Sequence, residues 1–210
     1  MNNKILFLLI IVLVLVSTFL FNYLLNIDGL IYNFYSEQLA KEQIGELLEN
    51  QKKWSWINYL IMPILILLRT SLVAFCIEVG VFFYNIENKI KFKKIFRIAL
   101  LGEFVLILVG LSKVVYFYFI DTTYTLEDLQ QFYPFSYINF LNIDNLEPWL
   151  IYPLQIINLF EVAYFFVLVN GLHKLLKNKY IKSFEIIAIS YGLGLTIWLG
   201  LVMFLTLNVS

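Results

Sequence analysis

Residues 5–25 read ILFLLIIVLVLVSTFLFNYLL, a run of 21 residues that contains no charged side chain. At about 1.5 Å per residue, a helix of this length covers the roughly 30 Å of hydrocarbon in a bilayer. Four further stretches are similarly long and apolar: 57–84, 98–120, 149–172 and 184–207. The sequence therefore predicts an all-α fold, a polytopic membrane helix bundle with five transmembrane helices.

The first stretch also resembles the apolar part of a secretory signal peptide, because Lys4 precedes it. However, no cleavage site of the small-x-small type follows Ser17, and the apolar run continues past Phe21. We therefore favour a helix that stays in the protein over a signal peptide.

The composition of the chain supports a membrane protein. Of its 210 residues, 61% are hydrophobic and 14% are charged, and the mean hydropathy is +0.81. A soluble domain is about half apolar and about a quarter charged, so lipid must solvate much of this surface. The net charge is zero, which argues against a nucleic-acid partner. Residues 1–210 are then one membrane domain, with the lipid bilayer as its surroundings and other membrane proteins as candidate partners.

Charges in the connecting segments predict the orientation. Two segments are basic, one before the third span and one before the fifth: Lys89, Lys91, Lys93, Lys94 and Arg97, then Lys174, Lys177, Lys179 and Lys182. The segment before the fourth span has no Lys or Arg but five acids: Asp121, Glu127, Asp128, Asp144 and Glu147. Because Lys and Arg are retained on the cytoplasmic side, the N-terminus is predicted to be cytoplasmic and the C-terminus outside.

Two longer segments, 26–53 and 121–148, lie on the predicted outer side. In the first, apolar residues recur on one side of a predicted helix over residues 36–50. That helix is expected to rest on the membrane surface or the bundle, and partner docking is the alternative. In the second segment, Thr125 and Asp128 have the spacing of a helix start, and Pro134 would end that helix after about two turns. The aromatic residues around Pro134 are expected to dip into the interface or cover the outer mouth of the bundle, with a ligand lid as the alternative.

Polar side chains within the spans form a predicted intramembrane polar layer. Its candidate members are Arg69, Glu103, Lys113, Gln155, Asn158 and Glu161. Arg69 and Glu161 have opposite charges at similar depth, so we predict an ion pair, because an unpaired charge in hydrocarbon is costly. Such a pair either fixes only the helix register or forms the polar site of a transporter. Gln155 and Asn158 extend a polar strip with Glu161, since residues three apart lie on neighbouring faces of a helix.

Small residues in the fifth span recur at intervals of four: Gly192, Thr196 and Gly200. Such residues let two helix backbones approach closely, and we expect them to pack within the monomer rather than in a dimer. Two spans also begin alike, with Pro63 in LIMPI (60–64) and Pro153 in LIYPL (150–154). Both prolines are predicted in the first turns of their spans, where a missing backbone donor costs little.

No motif for catalysis or cofactor binding occurs in the sequence. Gly-x-Ser-x-Gly, His-Glu-x-x-His, a Walker loop and a glycine-rich dinucleotide turn are all missing. Cys76 is the only cysteine and His173 the only histidine, which leaves neither a cysteine-rich nor a histidine-rich metal site. We therefore predict a protein that is not an enzyme and has no metal and no cofactor.

Short motifs in the second half of the chain resemble a known family. They are NLFE at 158–161, LVNGL at 168–172, a basic segment, YG at 191–192 and Trp198. Over residues 54–205 the chain is similar to bacterial Yip-domain membrane proteins, a family with five spans, a cytoplasmic N-terminus and an outer C-terminus. The span at the extreme N-terminus and the acidic segment after it depart from the family's pattern. Eukaryotic members bind small GTPases in membrane traffic, and bacterial members have no settled role.

Two functions are compatible with the sequence, and we favour the first. The first is a non-enzymatic scaffold or accessory subunit of a complex in a bacterial inner membrane, with a Yip-like bundle. The second is a small transporter or permease subunit with a polar site around Arg69 and Glu161. A solvent-reachable cavity around Glu161 would favour transport, whereas a dry and tightly packed ion pair would favour the scaffold.

Overall fold

A computed structural model describes residues 2–36, 38–84 and 90–209 of the chain. The helices of this part are α1 (Asn3–Leu24), α2 (Ile27–Tyr35), α3 (Lys41–Phe83), α4 (Phe92–Phe119), α5 (Leu126–Gln131), α6 (Pro148–Ile156), α7 (Leu159–Leu176) and α8 (Tyr180–Val209). Two 3-10 turns, Tyr137–Phe140 and Ile143–Asn145, precede α6. Five helices, α1, α3, α4, α7 and α8, are long and apolar enough to cross a membrane. The predicted all-α bundle with five spans is confirmed.

The spanning helices α3, α4, α7 and α8 meet in one apolar core. Ala74, Ile98, Leu168 and Ile187, one from each helix, are almost completely buried in it. The outward faces are apolar as well, and Leu193 of α8 is 60% exposed. Because lipid tails are as apolar as a protein core, both faces of these helices are suited to a bilayer.

Helix α1 packs against this core rather than standing apart. Leu6 and Ile10 are buried in one cluster with Leu100 of α4. Nδ2 of Asn3 donates a hydrogen bond of 2.8 Å to the carbonyl of Lys93. The first span is therefore an integral part of the bundle, and it begins at the basic end of α4.

Both basic segments lie at one end of the bundle. Ile95 near the start of α4 and Leu172 near the end of α7 share one buried cluster, so the segments beside them are neighbours. Lys89, which contributes to the charge argument, lies outside the described residues. The cytoplasmic assignment of this end stays a prediction from the retention of Lys and Arg.

The boundaries of α3 differ from those predicted for this part of the chain. A separate helix was expected over residues 36–50, with the span beginning at residue 57, but Lys41–Phe83 is a single helix of 43 residues. It is about 65 Å long at 1.5 Å per residue. Neither Gly nor Pro occurs between Glu49 and Trp56, so nothing stops the helix there. As a result, Pro63 lies in the interior of α3. Pro153 likewise lies in the interior of α6, so neither proline is in a first turn as predicted.

Helices α2 and α5 form a small cap at the other end of the bundle. Leu25, Phe117 and Leu129 share a buried cluster there. The predicted start of α5 is confirmed: Asp128 N donates to Oγ1 of Thr125 at 3.1 Å, and Thr125 N donates to Oδ2 of Asp128 at 2.8 Å. The bonds from the amide and hydroxyl of Thr125 hold the pKa of Asp128 below its usual value.

Candidate functional site

The fourth predicted span, 149–172, is interrupted. Helix α6 ends at Ile156 and α7 begins at Leu159. Asn158 between them has an extended backbone, and its side chain accepts a hydrogen bond of 2.8 Å from the amide of Glu161. An Asn with a Glu three residues later before an apolar run is the sequence signature of a helix start. This signal was available in NLFE at 158–161, and the prediction of an unbroken span missed it.

The outer segment supplies hydrogen-bond partners for the interrupted backbone. Ser136 is completely buried, and its hydroxyl lies 3.2 Å from the carbonyl of Leu154 and 3.1 Å from that of Gln155. The amide of Tyr137 donates to the carbonyl of Ile157 at 2.9 Å. An unsatisfied backbone group in hydrocarbon costs several kcal/mol, so these bonds make the interruption possible. The segment therefore contacts the bundle at the break through Ser136. The aromatic residues Phe135 and Phe140, which were expected to cover the bundle or dip into the interface, are 65% and 85% exposed.

Charged side chains from α3, α4 and α7 lie close together within the bundle. Nε of Arg69 donates to Oε1 of Glu103 at 3.2 Å, and Nη2 of Arg69 is paired with Oε2 of Glu103. The carboxylate of Glu103 is buried, with 2% of the side chain exposed, while the side chain of Arg69 is half exposed. At about 1.5 Å per residue, Arg69 lies roughly 21 Å from the end of α3 at Phe83, within the part of α3 that the sequence predicts to cross the bilayer.

The predicted ion pair between Arg69 and Glu161 is wrong, because Arg69 pairs with Glu103. Helix α4 packs against both α3 and α7, so its own carboxylate is the one that reaches Arg69. Glu161 instead accepts a hydrogen bond at Oε1 from the hydroxyl of Tyr191 in α8. Counting residues along each span placed Arg69 and Glu161 at a similar depth. The count contained no information on which helices are neighbours.

Tyr164 of α7 fills the space between these groups. Its ring lies against Gly102 of α4, where an added Cβ would overlap it. The centroid of the ring is 5.7 Å from that of Tyr191. Tyr164 is 2% exposed, and its hydroxyl makes no hydrogen bond with any described residue. Arg69 and Glu161 are both within electrostatic reach of this phenol, so Tyr164 is a site residue that the sequence analysis missed.

Tyr133 of the outer segment lies near the same groups. Burial raises the pKa of its phenol, and the neighbouring carboxylate of Glu161 raises it further. Asn139 holds the backbone of Tyr133 on both sides, with one hydrogen bond of 3.2 Å from the amide of Tyr133 and one of 2.6 Å to its carbonyl. The outer segment therefore reaches the level of Glu161.

A cleft of about 220 Å³ lies beside the break. Its lining residues are Phe135, Ile156, Ile157, Asn158, Leu159, Glu161 and Val162. Glu161 is the only charged residue in this set, and its Oε2 makes no hydrogen bond with the described part of the chain, whereas Oε1 is bound by Tyr191. The cleft therefore combines apolar walls with one available carboxylate oxygen.

The remaining members of the predicted polar layer have other positions. Gln155 lies beside the break and takes part through its backbone carbonyl, which accepts from Nδ2 of Asn158 at 2.8 Å. Lys113 lies ten residues beyond Glu103 on α4, about 15 Å further along the helix. Lys113 makes no ion pair in residues 2–36, 38–84 and 90–209. The residues of the predicted polar layer thus lie at three places: the Arg69–Glu103 pair, the break between α6 and α7, and the outer end of α4.

The small-residue stripe of α8 does not pack within the monomer, contrary to the prediction. A Cβ added at Gly192 or Gly200 would meet open space, and Thr196 is exposed. The close approach between α3 and α8 occurs on another face, where a Cβ on Gly80 would lie 2.5 Å from Cβ of Ser190. Regular spacing identified small residues correctly but not the face that meets a neighbour.

No family model, curated protein or solved structure matches this chain. Membership of the Yip-domain family therefore stays a prediction from the motifs between residues 158 and 198. Three residues of those motifs meet in the site: Asn158 caps α7, and Tyr191 binds the carboxylate of Glu161.

Proposed function

We propose that this integral membrane protein is a small transporter or permease subunit whose polar site is the cleft at Glu161. The observation that carries the proposal is a carboxylate, Glu161, that forms no ion pair with the described residues and lies beside an interrupted spanning helix. Interrupted helices commonly line the substrate and ion sites of transporters. The alternative expectation for a scaffold, a packed ion pair between Arg69 and Glu161, has no support from the hydrogen bonds of either residue.

The charges of the cluster favour a site that binds a positive species. Arg69 carries one positive charge, and Glu103 and Glu161 carry one negative charge each when ionised, so the sum is −1. Arg69 is already paired with Glu103. An ionised group within a membrane needs a partner or must lose its charge, so Glu161 is suited to exchange a proton or another cation.

The other parts of the proposal come from the sequence. We place the protein in the inner membrane of a bacterium, with a Yip-like bundle, because of the motifs around Glu161 and the two basic segments. We also propose that it catalyses no reaction, since the sequence lacks the motifs of intramembrane hydrolases and metalloproteases.

A scaffold remains the second candidate, and α3 is the observation that favours it. The first 16 residues of α3, 41–56, precede the predicted span and extend it by about 24 Å. Most of their side chains are exposed, and an exposed ion pair of 3.0 Å, from Lys52 to Asp28, links this part to α2. A surface of this kind can carry a partner, as a scaffold or accessory subunit would require.

Charge movement in proteoliposomes tests the proposal directly. The wild-type protein, adsorbed on a solid-supported membrane, is challenged with jumps in pH and in Na⁺ or ammonium concentration. We expect a transient current that Glu161→Gln abolishes. Glu185→Gln, which removes an exposed carboxylate near the start of α8, should leave the current unchanged. A wild-type current no larger than that of empty liposomes would contradict transport, and a current that survives Glu161→Gln would contradict the site.

Thiol labelling gives a second measurement that does not depend on the transported species. In a Cys76→Ser background, Ile156→Cys should react with a membrane-impermeant methanethiosulfonate because Ile156 lines the cleft and is only partly exposed. Leu193→Cys, at a lipid-facing position that is 60% exposed, should not react. Equal protection of both cysteines would indicate a dry site and favour the scaffold.

A further inference from the structure

The charge that a ligand of the cleft should carry follows from the hydrogen-bond and ion-pair partners of the nearby polar groups. Both guanidinium contacts of Arg69 go to Glu103, so the charge of Arg69 is balanced by a carboxylate. The N-terminus of α7, which could otherwise attract an anion, is capped by Asn158 and has Glu161 in its first turn. The available group is Oε2 of Glu161, and an ionised carboxylate within a membrane favours a positively charged ligand.

The oxygen donors of the cleft are too few for a bare metal ion. Hard cations such as Ca²⁺ take six to eight oxygen ligands. The side chain of Asn158 is already committed, with Oδ1 accepting from Glu161 and Nδ2 donating to the carbonyls of Gln155 and Ile156. Among the side chains that line the cleft, one carboxylate oxygen therefore makes no hydrogen bond with the described residues. An ammonium group needs no shell of oxygens around it.

Apolar side chains form the rest of the cleft. Ile156, Ile157, Leu159 and Val162 line it together with the ring of Phe135. Such walls accommodate the apolar part of a ligand, and an aromatic face attracts a cation near it. A ligand with one positive group and one apolar group satisfies both the carboxylate and the walls.

The size and opening of the cleft restrict the ligand further. A cavity of about 150 Å³ holds benzene, so 220 Å³ fits a ligand of about ten non-hydrogen atoms. Three lining residues are exposed by more than half: Phe135 (65%), Ile157 (59%) and Leu159 (64%). The cleft therefore opens on the lateral surface of the bundle, which faces lipid. The break lies about 27 Å from the end of α7 at Leu176, which places the opening in the half of the bilayer away from the basic segments.

We propose that the ligand of this cleft is an amphiphilic organic cation, an amine or quaternary ammonium with a small apolar group, which enters from the outer leaflet. The inference rests on the proposed function for its biological meaning, because it names the class of substrate for the Glu161 site. Binding itself can be measured without transport.

Benzyltrimethylammonium is the probe, and neopentylbenzene is its matched control, because it has the same shape but no charge. Binding of the radiolabelled cation to purified protein in detergent is followed by scintillation proximity. We expect saturable binding to the wild type, at least tenfold weaker binding to Glu161→Gln, and no change in Glu185→Gln. An excess of neopentylbenzene should not displace the cation.

A second variant keeps the test independent of the folding of Glu161→Gln. Val162→Phe fills the cleft and leaves the carboxylate in place, so it should also weaken binding at least tenfold while the protein stays monodisperse. The inference is overturned if neopentylbenzene competes as well as the unlabelled cation, or if both variants bind like the wild type. Displacement by equimolar Na⁺, together with currents driven by Na⁺ jumps, would also overturn it but would leave the proposed function in place.

Discussion

Replacing Glu103 by Gln removes the counter-charge of Arg69 inside the bundle while keeping the size of the side chain. With 3.2 Å between Nε of Arg69 and Oε1 of Glu103, the attraction between two unit charges is roughly 5 kcal/mol at an effective dielectric constant of about 20. Removing one partner of a buried pair costs about 3–5 kcal/mol. Because the side chain of Arg69 is half exposed, part of this loss is recovered when its charge moves toward the interface.

We therefore expect Glu103→Gln to lower the free energy of unfolding by about 3 kcal/mol, which is more than a hundredfold in the unfolding equilibrium constant. The assay is unfolding of the purified protein in mixed micelles of increasing SDS fraction, followed by far-UV circular dichroism. Glu78→Gln on α3 is the matched control, since Glu78 has no ion pair in the described part of the chain. Its unfolding midpoint should change little.

Charge reversal identifies the partner of Arg69. The double variant Arg69→Glu with Glu103→Arg should recover most of the stability that each single reversal loses. Arg69→Glu with Glu161→Arg should recover none. The reasoning is refuted if Glu103→Gln unfolds at the wild-type midpoint, or if the reversal with Glu161 restores stability better than the reversal with Glu103.

Three further predictions concern the break, the cap of α5 and the packing of α8. Ser136→Ala should lower the free energy of unfolding by about 1–3 kcal/mol, since buried carbonyls lose a donor; an unchanged midpoint in the SDS titration would contradict this role. The pKa of Asp128, measured by carbon-13 NMR, should lie below the ordinary value for Asp and rise in Thr125→Val. Because the pKa of Asp128 is lower in the folded protein than in the unfolded chain, the ionised carboxylate stabilises α5 at neutral pH. This stabilisation should be lost as the pH falls from the pKa of the unfolded chain through the pKa of the folded protein. Finally, Gly80→Val should destabilise by about 1–3 kcal/mol through overpacking and Gly200→Val by less than about 0.5 kcal/mol, and equal effects would show that the stripe of α8 is packed after all.

Features that depend on neighbouring residues in the chain were predictable. The five spans follow from runs of apolar side chains, because transfer into hydrocarbon is a property of each segment alone. The start of α5 follows from Thr125 and Asp128, which satisfy each other's backbone donors within one turn. In both cases the groups that determine the structure are close in sequence, so their spacing is enough to predict the helix.

The two similar proline segments show a case in which local sequence does not predict whether a helix continues. Pro63 and Pro153 occupy equivalent positions in LIMPI and LIYPL, yet α3 continues through Pro63 while α6 ends three residues after Pro153. Asn158 provides a local reason for the second case, since it caps the next helix. The other reason is distant: Ser136 supplies the hydrogen bonds that the open backbone requires, and spacing along α6 does not reveal it.

The sequence by itself determined that this chain resides in a bilayer, which segments cross it and which charges lie within it, because hydrophobicity and charge are properties of individual side chains. Only the tertiary structure decided that Arg69 meets Glu103, that Tyr191 binds Glu161 and that the stripe of α8 faces outward. The physical reason is that depth along a helix can be counted from the sequence, whereas the choice of neighbouring helix depends on the packing of all of them together.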